Sequence, residues 1–432
     1  MHNKSIHNDK KIDNHKVNFK SSDKNIKVLL VGYNGASNTG SEARLLSIIN
    51  DVKTVFGNEV QITIPTLNEK NLRRYLKEEP GLHIKAIPSI FFYTLRKLVK
   101  QHDLILLVEG SCYMDTWTSA LLWAFLWSTR CAYESRIPCI AYAVDSGELS
   151  SFNKFLVKRE ASKTDLIITR TNSAKIRLES IGVTAPIEVT ADCAFTFNLD
   201  EDDRDILDHV KLENNNGLVG LSIVDFHLWP VVIRPWGKKE YLYKWPYYFS
   251  RSKTRLDKSE ELASQWAKIA DDVIRDYNKD ILLICMEEVD ESLAYNIQDK
   301  MIHSDKAKVI SSREFNASQI TYILRNLDLL VTSRYHAAVL SLESLIPQIA
   351  VGHDTRLKGF YMELGLNEDY LLDSNSPDLW STLNGKIKYL LDNPGLLNKI
   401  LSDGYQMHLK RSSQNRLYLR MFSIKHGWDV II

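Results

Sequence analysis

Short apolar, β-branched runs alternate with stretches of helical period from Ile26 to Leu364, the pattern of parallel strands wrapped by helices. In the first half, strands are predicted over 27–31, 60–64, 104–108, 138–143, 166–169 and 187–190, with helices over 41–56, 116–135, 151–163 and 173–181. A polar, acidic stretch from Asp200 to Asn216 breaks the alternation, and Asn214-Asn215-Asn216-Gly217 is a strong loop signal. The pattern restarts with strands over 218–224, 281–286, 308–310, 329–331 and 348–351, and helices over 259–277, 293–302, 318–326, 337–344 and 357–364. The chain therefore divides into a disordered polar tail (1–25), an α/β domain (26–200), a second α/β domain (217–375) and C-terminal helices (376–432). Two Rossmann-like domains imply a central cleft, because ligands of such sheets bind beyond the carboxyl ends of the strands.

One segment escapes the alternation. Between Asp225 and Arg255 lies an insert with no regular period that carries Trp229, Trp236, Tyr241, Tyr243, Trp245, Tyr247, Tyr248 and Phe249. Aromatics interleaved with Arg and Lys stack on sugar rings, and a lid folded around its own small core explains them equally well. Single-stranded nucleic acid is the other ligand of such loops, but a net charge of +1 offers no wider positive field and argues against nucleic acid.

Composition is that of a soluble protein, 44% hydrophobic and 25% charged. Cys112, Cys131, Cys139, Cys193 and Cys285 include no CxxC pair and no His at metal-ligand spacing, so neither a disulfide framework nor a metal site is expected. The first residues lack the apolar core of a signal peptide, and the longest apolar stretch, 120–127, is too short to cross a bilayer. A cytoplasmic location is predicted. Ile90, Phe91, Phe92, Tyr93, Leu95 and Leu98, beside Arg96, Lys97 and Lys100, form either a core-facing helix or a peripheral contact with the inner face of a membrane.

Chemistry concentrates at the strand-to-helix junctions. The run 327–331 empties through Thr332-Ser333-Arg334-Tyr335-His336-Ala337 into a helix, whose unpaired N–H groups and dipole favour an anion. Arg334 adds a planar donor fork, and His336 exchanges protons near neutral pH. A structural ion pair for Arg334 and a turn-satisfying role for His336 compete with that reading. The element 351–360 repeats the junction with His353, Asp354, Arg356 and Lys358, placed to face the Arg334 turn; Asp354 as a cap beside a solvated Arg356 is the alternative.

Strand one ends in Gly32-Tyr33-Asn34-Gly35-Ala36-Ser37-Asn38-Thr39-Gly40-Ser41-Glu42-Ala43, a loop able to approach a ligand closely and offer it backbone donors. Asn34, Asn38, Gly40 and Glu42 are its candidate binding residues. It is neither GxGxxG nor a Walker loop, so nucleotide binding is not licensed, and a plain capped turn competes. Glu109 follows four apolar residues, where a carboxylate must find partners or shift its pKa; it is a candidate base or hydroxyl anchor. Asp145 stands at a similar strand end.

Together these motifs resemble the polysaccharide pyruvyl transferase family. The likeness runs over roughly 26–370, through the glycine-rich loop, 104–115, 168–182 with Arg170 and Ser173, Thr190-Ala191-Asp192-Cys193-Ala194-Phe195, and most specifically Ser333-Arg334-Tyr335-His336-Ala337 followed by Pro347, Ala350, Asp354 and Arg356. It implies a GT-B-like α/β fold, with the acceptor on the first domain and the donor on the second. It also implies transfer of pyruvyl from phosphoenolpyruvate to a glycan or lipid-linked sugar, without a cofactor. His336 would then be the general acid and base, and Arg334 the clamp for the donor. Arg356 replaces the usual lysine, and no arginine follows Ser222 where the family often has one, so Arg234 of the insert is its candidate substitute. A GT-B glycosyltransferase using a nucleotide sugar and a non-catalytic glycan-binding protein remain the alternatives. The acceptor, the ketal stereochemistry and the oligomeric state are not written in the sequence.

Overall fold

The computed structural model describes residues 25–116, 118–210, 216–227, 229–239, 242–250, 252–352 and 354–431. A first sheet comprises β1 (Lys27–Val31), β2 (Gln61–Thr66), β3 (Leu82–Ala86), β4 (Leu104–Leu107), β5 (Cys139–Val144), β6 (Leu166–Thr169) and β7 (Ile187–Val189). These pair in parallel in the order β3-β2-β1-β4-β5-β6-β7. The fully buried runs of β4, β5 and β6 follow from helices on both faces. The helices are α1 (Thr39–Phe56), α2 (Glu69–Tyr75), α3 (Phe92–Val99), α4 (Ser119–Ser135), α5 (Ser151–Ala161) and α6 (Asn172–Ile181). Strand order reverses between β1 and β4, which opens a crevice at their carboxyl ends.

After the short α7 (Ile206–Val210), the chain builds a second sheet. Its strands β8 (Leu218–Ser222), β12 (Asp280–Cys285), β13 (Ala307–Ser311), β14 (Leu329–Thr332), β15 (Gln348–Val351) and β16 (Leu371–Leu372) lie in the order β13-β12-β8-β14-β15-β16, again all parallel. Its helices are α8 (Lys253–Tyr277), α9 (Glu291–Lys300), α10 (Ala317–Leu324), α11 (Tyr335–Ser341) and α12 (Thr355–Leu364). The insert is not structureless. It forms a small antiparallel sheet from β9 (Trp229–Ile233), β10 (Leu242–Lys244) and β11 (Tyr247–Ser250), and Oη of Tyr247 donates to the Ser89 carbonyl at 2.9 Å, tying the insert to the first domain.

Three features bind the halves together. The amide of Thr39 donates to the Met286 carbonyl at 2.9 Å and that of Glu288 to Ser37 at 3.2 Å, so the glycine loop is stitched to the end of β12. Arg74 pairs with Glu42 at 2.6 Å and donates to the Ser312 carbonyl at 2.9 Å. Beyond α13 (Leu379–Asp392), the long α14 (Asn398–Lys425) places Leu401 in the second core and Leu419 and Phe422 in the first. Among the described residues no helix is long and apolar enough to cross a membrane.

Candidate functional site

The carboxyl ends of β5, β6 and β7 converge on a buried set of charges. Between Ala141 and Val144 the register of β5 against β6 slips by one residue, with Ala143 at φ 51, and this bulge re-aims the following Asp145. Asp145 accepts from Nε of Arg170 at 2.9 Å, lies 3.4 Å from Arg177 and accepts from the Ser146 amide at 2.8 Å. A Cβ at Gly110 would lie 2.7 Å from Nη1 of Arg170, so glycine there makes room for the guanidinium. The hub is Asp192. It forms an ion pair with Nη1 of Arg44 at 2.9 Å and accepts hydrogen bonds from Nη1 of Arg170 and from the Ala194 amide, the latter at 2.9 Å. The side chains of Arg44, Arg170 and Asp192 are all 0% exposed. Burial alone would raise the Asp192 pKa, but the two guanidinia outweigh it and hold the carboxyl well below its ordinary range. The α14 helix fixes this loop from behind: Ser412 donates to the Asp192 carbonyl at 2.8 Å and Asn415 to that of Ala191 at 2.9 Å.

Across the cleft, Tyr335 and His336 close on the hub. Cζ of Arg170 lies 4.2 Å from the centroid of the Tyr335 ring, a cation–π contact between the domains. Nε2 of His336 is 3.5 Å from Oδ2 of Asp192, a charge contact at the long limit of a hydrogen bond. The other ring nitrogen faces Gly40, where a Cβ would come within 2.0 Å of Nδ1. That approach is why the position tolerates no side chain. The His336 side chain is 14% exposed. Burial lowers its pKa, Asp192 pulls the other way, and Arg170 and Arg44 add to the lowering; the direction is down. The lowered pKa favours the neutral ring at neutral pH, with Nε2 facing the Asp192 carboxylate, whose negative charge would stabilise an imidazolium.

The remaining candidates separate. Arg334, two residues before His336, turns away from it: its guanidinium meets Glu287 at 3.0 Å and is held by both oxygens of Asp290. These ion pairs tie the turn to the carboxylates of its own domain. Asp354 caps α12 by accepting from the Arg356 amide at 2.8 Å and pairs with that residue's guanidinium, whose charge, against the burial penalty, keeps the carboxyl low. Arg356 also feels Arg170 and Asp145, and a Cβ at Gly359, midway along α12, would be 3.5 Å from Oγ of Ser173, so the middle of α12 approaches the first turn of α6. Lys358 is exposed, and His353 lies outside the described residues.

Glu109 accepts from Oγ of Ser41 at 3.1 Å and from the amide and hydroxyl of Ser111, and its charge reaches Arg44. Ser333 is buried; its amide donates to Ser222 at 2.8 Å, while the hydroxyls of both serines find no partner among the described residues. Asn34 is structural, donating to the carbonyls of Leu30 and Pro65, and Asn38 caps α1. Glu42 faces Ala317 across the interface, where burial outweighs Arg74 and raises its pKa to about 8. Arg234 stacks over Tyr248 at 5.0 Å, inside the insert. The structure thus brings together Glu109, Asp145, Arg170, His336 and Arg356, and adds Arg44, Asp192, Tyr335 and Arg177. A signal for Arg44 exists in hindsight: it is a charge between the apolar neighbours Ala43 and Leu45 on a buried helix face.

A large cavity of about 780 Å³ lies beside this site, not in it. It runs from the Gly32–Ala36 loop and Glu287 between α3, α4 and the insert. The charge hub carries the polar chemistry, and the cavity carries the space.

A family model described as polysaccharide pyruvyl transferase matches residues 38–355. Among solved structures the chain is similar to a putative UDP-N-acetylglucosamine 2-epimerase from Listeria monocytogenes, at 14% identity and a TM-score of 0.58 over 94% of this chain and 97% of that one. It is also similar to the UDP-GlcNAc 2-epimerase of Methanocaldococcus jannaschii, at 14% identity and a TM-score of 0.59 over 93% and 100%. The UDP-GlcNAc-bound epimerase of Neisseria meningitidis follows at 10% identity and a TM-score of 0.57 over 93% and 100%. At such identities the likeness concerns the fold, two facing GT-B-like domains. No curated protein matches the chain.

Proposed function

Because the chain belongs to the polysaccharide pyruvyl transferase family, we propose that it moves the pyruvyl group of phosphoenolpyruvate onto two hydroxyls of a glycan acceptor, forming a ketal and releasing phosphate. The observation that carries this reading is the Asp192–His336 pair, made across the two domains and backed by Arg170 and Arg44. Protonation at C3 of the enol makes C2 electrophilic, a sugar hydroxyl adds there and gives up its proton, and a second hydroxyl displaces phosphate. Each addition needs a base and the first step needs an acid, roles that one imidazole fills in turn.

The resting geometry supports a sequence for this. His336 is neutral before the donor arrives. A phosphate and a carboxylate entering beside it favour the imidazolium and raise its pKa, so donor binding converts the base into the acid. The first turn of α6, with Arg177 and Arg356 partly exposed nearby, is the anion seat in this reading. The unpartnered hydroxyls of Ser222 and Ser333 are donors at the adjacent strand ends. Glu109, held by Ser41 and Ser111, is the anchor for an acceptor hydroxyl.

The test is acceptor-dependent release of phosphate from phosphoenolpyruvate by the purified protein, with His336→Asn as the control expected to abolish it. Wild-type protein that neither binds phosphoenolpyruvate in calorimetry nor releases phosphate, yet is thermally stabilised by nucleotide sugars, would replace this reading with a GT-B glycosyltransferase.

A further inference from the structure

We propose that the outer face of α3, α4 and α5 is a docking surface for an anionic phospholipid bilayer. The three helices lie side by side over the first sheet, and Leu98, Phe125 and Val157, one from each, share a single core. Their outer sides are sewn into one surface. Nε1 of Trp127 donates to the Phe92 carbonyl at 2.8 Å, and the two rings meet edge to face at 5.6 Å. Trp123 donates to Asn153 at 2.9 Å, Arg96 reaches Glu134 at 3.5 Å, and Arg130 reaches Glu160 at 3.5 Å. Around α3 the apolar residues divide: the core takes Phe91, Leu95 and Leu98, and solvent takes Ile90, Phe92 and Tyr93.

Two properties of this surface choose its partner. Large rings stand out of it: Tyr93 is 81% exposed, Tyr133 61%, Phe152 62% and Phe155 57%. Cations surround them. The helices carry Arg96, Lys97, Arg130, Lys154, Lys158 and Arg159 against Glu134 and Glu160 alone, in a chain whose net charge is +1. Lys100 and Arg136 add two more at the C-caps of α3 and α4. Both carboxylates are held by arginines of the same face, and Lys97, Lys100, Lys154 and Lys158, all exposed, form no ion pair among the described residues. Cζ of Arg159 lies 5.6 Å from the centroid of the Phe155 ring, and Nζ of Lys163 lies 5.5 Å from that of Tyr133. Such a mixture is matched where acyl chains meet phosphate headgroups, the rings entering the first and the cations pairing with the second. A second copy is a poor partner, because a two-fold axis would set this cationic face against itself. An acidic protein would satisfy the cations, but rings spread over three helices would each need a shaped pocket, whereas a bilayer takes them without matching shape.

The test is sedimentation of the full chain with vesicles made of equal parts phosphatidylcholine and phosphatidylglycerol, beside vesicles of phosphatidylcholine alone. Binding to the anionic vesicles only is expected, weakening as salt rises from about 0.1 M to about 1 M and the screening length shortens from about 10 Å to about 3 Å. Lys97→Glu with Lys158→Glu should weaken it by more than about tenfold, since each cation near such a surface accounts for about a fivefold change in partition. Tyr93→Ser with Phe155→Ser should weaken it as well, through lost apolar burial. Lys268→Glu with Lys399→Glu, the same charge change on exposed residues of α8 and the start of α14, should alter it by less than about threefold. Every substituted side chain is exposed, and circular dichroism checks that each variant is folded. No binding to anionic vesicles, equal binding to neutral ones, undiminished binding of either face variant, or equal loss in the control pair would each overturn the docking surface. So would vesicles left unbound while ultracentrifugation shows self-association that the face variants abolish, which would give the surface to a second copy. The vesicles carry no glycan and no turnover is measured, so this outcome is separate from that of the phosphate assay.

Discussion

The Asp192 hub and the cavity beside α3 sit at the same domain boundary and are built in opposite ways. The hub is full: Arg44, Arg170, Asp145 and Asp192 are wholly buried, two guanidinia against two carboxylates, in contacts that cross strand ends, a helix and the cleft. The cavity is walled mostly by apolar side chains, with Glu287, Glu288 and Glu291 as its charged lining. A buried ion cluster costs desolvation that a hydrophobic one would not, so it is weak as a source of stability. An apolar space of that size leaves packing contacts unmade.

Removing the hub's centre is the sharpest way to break the contrast. Asp192→Asn leaves the buried Arg44 guanidinium without its counter-ion and Arg170 with Asp145 alone, and should lower unfolding free energy by about 3–5 kcal/mol in denaturant titrations. A loss below about 1 kcal/mol would mean that the hub is solvated in a way the structure does not display. His336→Asn, by contrast, should cut phosphate release by about 10²–10⁴ while leaving the denaturation midpoint near wild type, and an equal fall in stability would reassign the ring to packing. Gly40→Ala presses a methyl against the same ring and should lower the turnover rate by about 10², mainly in kcat, through a displacement on the order of 1 Å. Smallest is an acid-side effect behind the hub. Burial and Arg411 lower the pKa of His408, stacked on Phe195, to about 3, so the native state refuses a proton that the unfolded chain accepts near pH 6.5. That contribution is complete above pH 6.5 and is lost as pH falls toward 3, at up to about 1.4 kcal/mol per pH unit. His408→Gln should flatten this limb in urea titrations run from pH 7 to pH 4.

What could be read from the chain was local. The buried strands β1, β4, β5, β6, β14 and β15 announced themselves as apolar runs, and His336 as the titratable residue at a strand-to-helix junction. Strand β3 did not, because Leu82–Ala86 is an edge strand whose alternating burial leaves no apolar run. The insert hid its three strands for a related reason: they are short, and prolines and lysines interrupt their alternation. Partner choice was illegible altogether. Nothing in the spacing of Arg334 and His336 says that the first meets Asp290 of its own domain and the second Asp192 of the other, because both partners arrive through tertiary packing. The same holds for Arg44, whose partner lies near the end of the first domain.

The helix α14 carries a consequence for how the molecule is made. Its residues Leu419 and Phe422 complete the core of the first domain, Asn415 and Ser412 brace the loop that presents Asp192, and the amide of Ile431 donates to the Val55 carbonyl at 2.8 Å. During translation the first domain therefore waits, unfinished, until α14 has left the ribosome. A nascent chain stalled before Asn398 should expose that unfilled apolar groove to chaperones, and proteolysis of such stalled chains should cut the first domain that resists digestion in the finished protein.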